Sequence, residues 1–277
     1  MQANDIINSL NTISEKLFKT VEGQIYKVID NIIDISPDIL TQEPLKTIFF
    51  KDKINGIILI ADSFILFYVV YFVLMQLISI YNGKQTPNVY YFIVKVIVIT
   101  LFVNNSYFLC NLSLEFIDAI TTAVKIYGQD ISGQVISFEN LKEAVLSIDD
   151  LTSSELISLN GLIKGVISFG IVTILINFSI RYVTIIFLII VCPFAIMSNI
   201  ANITNGLFKS WIRLYTSNLF VQVIVKLILT IPLMYKEKDS IMYKIILVGA
   251  IYLIYKVAEL TKELFLQVNQ RLDIKAE

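Results

Sequence analysis

The 277-residue chain is 56% hydrophobic and only 16% charged, with a mean hydropathy of +0.73, whereas a soluble domain keeps roughly a quarter of its residues charged. Lys plus Arg (22) and Asp plus Glu (23) nearly cancel, so no global charge draws the chain to nucleic acid or anionic lipid. The absence of histidine removes the commonest general base, metal ligand and pH switch.

Apolar residues collect into runs of the about 20 residues that a helix needs to cross a roughly 30 Å hydrocarbon layer. The fold expected is therefore all-α: a polytopic helical membrane protein with five, alternatively six, spans and an amphipathic N-terminal helix. Residues 3–34 place Ile6, Leu10, Ile13, Leu17, Val21, Ile25, Val28 and Ile32 at steps of three and four with charges between them. Such a helix is too polar to span and either lies among headgroups or packs on partner helices. No signal peptide is expected, because Asp5, Glu15 and Lys16 interrupt the first 20 residues. Pro37 and Pro44 then break the chain and close an N-terminal region of residues 1–56.

A first span over 57–80, interrupted by Asp62 and Gln76, turns through 82–87, where Pro87 cannot continue a helix, into a second over 89–114 carrying Lys95 and the polar patch Asn104-Asn105-Ser106. These form a transmembrane hairpin, 57–114. Residues 115–161 hold eight acidic residues against two lysines, a net of −6, and read as an extramembrane loop with a short amphipathic helix near 138–147 and a capping box at Thr152 and Glu155.

Residues 162–198 are almost wholly apolar and open a transmembrane core extending to 255. A straight helix of that length would measure about 55 Å, beyond one crossing. Either one long helix kinks or ends at Pro193, or two short spans meet near Asn177 to Arg181; the lack of Gly or Pro there favours the single broken helix. Further spans run over 214–233 and 241–255, joined by the turn 236–239, and a helical tail occupies 256–277. Both span counts leave Lys256, Lys262 and Arg271 in the cytoplasm. Cys110 and Cys192 sit in apolar runs and read as small lipid- or core-facing residues.

Ionisable residues within spans are costly and default to pairing or function. Here they are Asp62, Lys95, Arg181 and Lys226. Lys95 lies near the start of its span and can snorkel. Asn218, Gln222 and Lys226 recur every four residues and share one helical face. That stripe either lines a pore or seam, or Lys226 snorkels or pairs internally with Asp62. No GxGxxG, P-loop, GxSxG, CxxC or metal-ligand cluster appears, so no catalysis and no cofactor are expected.

The stretch Arg181-Tyr-Val-Thr-Ile-Ile-Phe-Leu-Ile-Ile-Val-Cys-Pro193-Phe-Ala, with Phe208-Lys-Ser-Trp211 opening the segment that runs to Gln222, resembles the VirB6/TrbL family of polytopic inner-membrane subunits of type IV secretion and conjugation machines. The pattern is an Arg entering an apolar helix, a Pro with small residues at its far end, then an aromatic-x-x-Trp opening the next span. Gly83, followed by a basic span with Lys95, also fits. The resemblance implies a channel or platform subunit in a bacterial cytoplasmic membrane that helps translocate DNA or protein. It further implies assembly as a homo-oligomer with other secretion subunits, including an ATPase. The short central loop departs from larger relatives and suits a Gram-positive envelope. Competing classes are a stand-alone small-solute transporter or ion channel, for which Asp62 with Lys226 is the candidate site, and a holin or immunity-type membrane protein.

Overall fold

The computed structural model describes residues 25–43, 45–49, 56–83, 88–146, 159–200, 204–235 and 240–273, and every regular element among them is helical. In chain order these are α1 (25–33), α2 (Asp38–Thr41), α3 (Leu45–Phe49), α4 (Gly56–Tyr81), α5 (Val89–Asn104), α6 (Ser106–Ser132), α7 (Phe138–Leu146), α8 (Leu159–Met197), α9 (Asn205–Leu233) and α10 (Ile241–Asp273). Among the described residues, five helices are long and apolar enough to cross a membrane: Gly56–Tyr81, Ser106–Ser132, Gly165–Met197, Gly206–Leu233 and Ile241–Leu264. The protein is thus a polytopic helical membrane protein. Residues 3–24, the Thr152–Glu155 box and the turns at 84–87 and 236–239 lie outside the described residues.

Two features depart from the sequence expectation. The second span does not run over 89–114: α5 ends at Asn104 and α6 begins at Ser106. At 16 residues, α5 is about 24 Å long, short of the bilayer core. The side-chain amides of Asn104 and Asn105 donate to the carbonyls of Thr100 and Leu101 at 3.0 and 2.8 Å, so polar side chains take over bonding at the break. Secondly, much of the expected loop from residue 115 is α6, which continues to Ser132 and ends on Gly133 at φ 71°, the left-handed conformation that helix C-termini favour. The short helix expected near 138–147 is present as α7.

Between the two readings of residues 162–198, the chain takes the single helix. α8 runs unbroken through Asn177 to Arg181 and continues past Pro193 to Met197. The expected tail is helical as far as Asp273, being the end of α10, and residues 274–277 lie outside the described residues. Cys110 and Cys192 are buried and unbridged.

The chain divides into two compact units. One contains residues 36–116 and 184–216. In it Phe72 of α4 stacks on Phe92 of α5 with ring centroids 3.7 Å apart, and Phe64 meets Phe194 edge-on. The other contains residues 1–35, 117–183 and 217–277. Its apolar core draws Ile29 and Ile33 from α1, Phe138 and Leu141 from α7, Ile167, Ile171 and Ile174 from α8, Val225 and Leu229 from α9, and Leu247 and Ile254 from α10.

Inside a bilayer such packing gains little from the hydrophobic effect, because lipid tails are as apolar as leucine. Close van der Waals contact and hydrogen bonds must hold the helices. Gly128 of α6 shows the first of these. A Cβ there would lie 2.8 Å from both Ile136 Cγ1 and Thr230 Oγ1, and the Thr230 hydroxyl is itself fixed on the Lys226 carbonyl at 2.8 Å. Gly128→Ala therefore forces a shift in the α6–α9 packing. It is expected to destabilise by about 1–3 kcal/mol, read as a lower thermal unfolding midpoint in detergent, despite alanine's higher helix propensity.

Candidate functional site

α1 carries Asp30, and Asp34 follows directly on its last residue with its N–H still donating to the Asp30 carbonyl at 3.0 Å, so the two acids lie one turn apart on the same side. Opposite them lies Lys226, whose side chain is only 1% exposed. Its Nζ donates to Asp30 Oδ1 at 3.1 Å and makes an ion contact with Asp34 Oδ1, also at 3.1 Å. Lys125 of α6 closes the set by donating to Asp34 Oδ2 at 2.8 Å. The carboxylates and ammoniums thus alternate: Lys125, Asp34, Lys226, Asp30. Asp30 also caps α7, since Phe138 N and Glu139 N donate to its Oδ2 at 2.9 and 3.2 Å. A carboxylate suits that place because the first amides of a helix lack internal acceptors and carry the positive end of its dipole.

Next to the ion set lies Arg181, 4% exposed. Its Nε donates to the Asn218 carbonyl at 2.8 Å and its Nη1 to the Ile33 carbonyl at 3.1 Å. A longer contact of 3.4 Å runs from Nη2 to Gln222 Oε1. Gln222 is fully buried. Its Oε1 accepts from Ile35 N at 3.2 Å, and its Nε2 donates to Thr121 Oγ1 at 3.1 Å. Thr121 Oγ1 in turn donates to the Ile117 carbonyl at 2.8 Å. The guanidinium also faces the Phe178 ring, 5.7 Å from its centroid, one turn earlier on α8.

Gln222 and Lys226 of the polar stripe are thus both buried at this site, and Arg181 reaches Gln222 Oε1 and the backbone carbonyl of Asn218. Among the described residues, the partners found for this stripe lie on α1, α6 and α8 and on Ile35 just after α1. The expected pair of Lys226 with Asp62 is not formed. Lys226 takes Asp30 and Asp34, while Asp62 accepts from Asn104 Nδ2 at 3.3 and 3.4 Å. Asp62 is served by its own hairpin partner, and the counter-charge for Lys226 comes from a helix that was read as amphipathic without its acids being assigned. The signal was nevertheless available, because Asp30 and Asp34 share a face and a buried lysine requires a carboxylate.

The other singled-out residues lie elsewhere. Lys95 reaches back one turn, its Nζ 6.0 Å from the Tyr91 ring centroid. Pro193 sits inside α8, where it leaves the Ile189 carbonyl without its usual helical donor. Trp211 donates from Nε1 to the Leu188 carbonyl at 2.9 Å and stacks on Tyr215, centroids 5.2 Å apart. Tyr215 in turn shares a hydrogen bond with Ser113 at 2.7 Å.

No family model, curated protein or solved structure matches this chain. The site is therefore read on its own geometry. It holds five ionisable side chains, two acidic and three basic, of which Lys125, Arg181 and Lys226 lie in helices long enough to span. Directional bonds among α1, α6, α8 and α9 fix their register in surroundings where apolar packing alone discriminates weakly.

Proposed function

We propose that the protein is a channel or platform subunit of a type IV secretion or conjugation machine that helps translocate DNA or protein across a bacterial cytoplasmic membrane. The observation that carries this reading is the resemblance over residues 181–222, whose marked residues also join α8 to α9: Trp211 to the Leu188 carbonyl, and Arg181 to the Asn218 carbonyl. The protein works as a homo-oligomer with other secretion subunits and a secretion ATPase, its C-terminus in the cytoplasm. It acts in assembly and passage and not as an enzyme. A stand-alone transporter loses its candidate site, because Asp62 and Lys226 each have other partners.

Mild detergent extraction followed by crosslinking tests the reading. A homo-oligomer or an ATPase-containing complex is expected, and recovery solely as a monomer contradicts it. Within the assembly, Trp211→Ala or Pro193→Leu is expected to reduce oligomer yield more than Lys164→Ala does; equal yields from all three would overturn that ranking. Cysteine labelling at positions 20 and 150 in intact cells fixes the orientation.

A further inference from the structure

α8 and α10 diverge to leave an apolar groove of about 620 Å³ on the surface of the unit that contains the ion set, a size typical of small-molecule sites. At one point the helices touch: a Cβ on Gly170 would lie 2.6 Å from Ile251 Cγ2. Across the groove, Gly249 has nothing within 4 Å of its Cβ position, so the cleft is open above it. Thr173 supplies a hydroxyl to the lining, and that hydroxyl donates to the Phe169 carbonyl at 2.9 Å. An occupant therefore needs no hydrogen-bonding group there. Phe169 and Tyr252 stand at the rim, 77% and 61% exposed, on two helices that cross the bilayer.

From this geometry we infer that the groove binds one acyl chain of a membrane phospholipid. A void lined by carbon forfeits its dispersion contacts unless something fills it, and the bilayer offers hydrocarbon chains at high density along both helices. A helix from a second copy fits poorly. Close helix docking in membranes uses small residues one turn apart, but Ile245 and Tyr252, one turn either side of Gly249, are large and exposed. The inference does not depend on the secretion reading.

The test uses the full chain reconstituted with phospholipid carrying a photoreactive group in its acyl chain. Crosslinks should concentrate in peptides covering 165–173 and 245–255; labelling spread evenly over α4, α8 and α10 overturns the proposal. Native mass spectrometry after mild extraction should then show one phospholipid retained by the wild type and by Leu66→Trp on the exposed face of α4, and lost from Gly249→Trp, whose indole fills the cleft. Retention by Gly249→Trp, or none by the wild type, contradicts it. Oxidation of Gly249→Cys should form no disulfide between copies, whatever the oligomeric state; a disulfide-linked dimer would assign the groove to a second copy instead.

Discussion

Replacing Asp30 and Asp34 together by alanine is expected to cost about 3–5 kcal/mol, the range for removing one side of a buried ion pair. Lys226 has no exposed surface to relax into, and these two carboxylates are the acids placed on its ammonium. The same change uncaps α7, since Asp30 accepts from Phe138 N and Glu139 N, adding about 1 kcal/mol. Lys125 contributes little of the loss, because its side chain is a third exposed and solvent screens the pair. Lys226→Met should be milder. It removes the buried cation and keeps the volume, while Asp34 retains Lys125 and Asp30 retains the α7 amides. Thermal unfolding in detergent checks the order: the double alanine variant melts well below Lys226→Met. The reverse order would mean that the lysine, and not its counter-charges, holds the site.

Arg181→Ala is the second large effect, at about 3 kcal/mol or more. Two charge-assisted hydrogen bonds disappear, to the carbonyls of Asn218 and Ile33, each worth roughly 1.5–3 kcal/mol. A cavity opens as well, where the guanidinium had filled space beside Phe178. Arg181→Lys should recover only part of the loss, because a single ammonium lacks the planar fork that serves both carbonyls. Equal stability of the lysine variant and wild type would show that charge alone matters there. Since the Ile33 carbonyl ends α1, Arg181→Ala should also loosen that helix, seen as faster hydrogen exchange over 25–33.

How much of this was legible depends on the range of the forces involved. The apolar runs announce four of the five long helices, since a bilayer demands continuous hydrophobic length, but not Ser106–Ser132, whose acidic second half reads as a loop. The single helix over 162–198 follows from the lack of Gly or Pro near Asn177 to Arg181. The α5–α6 break was missed because its signal is weak: the patch Asn104-Asn105-Ser106 contains no Pro or Gly, and its two asparagines act on the helix only by bonding to its own carbonyls. Helical spacing grouped Asn218, Gln222 and Lys226 on one face, and that face is where the network forms. Spacing cannot name the neighbour, however. A polar face on α1 reads the same whether it meets water, headgroups or a buried lysine. Only the tertiary fold brings Asp30 within reach of a residue 196 positions away.

α1 belongs to the bundle and, with Asp34 just after it, supplies the counter-charges for Lys226 in a helix long enough to span. A double-mutant cycle between Asp30→Asn and Lys226→Met, measured by unfolding in reconstituted bilayers, tests this pairing most directly. The two changes should be coupled, with the double variant more stable than the sum of the single losses implies by about 1–3 kcal/mol. Strict additivity would contradict the pairing and place α1 away from Lys226.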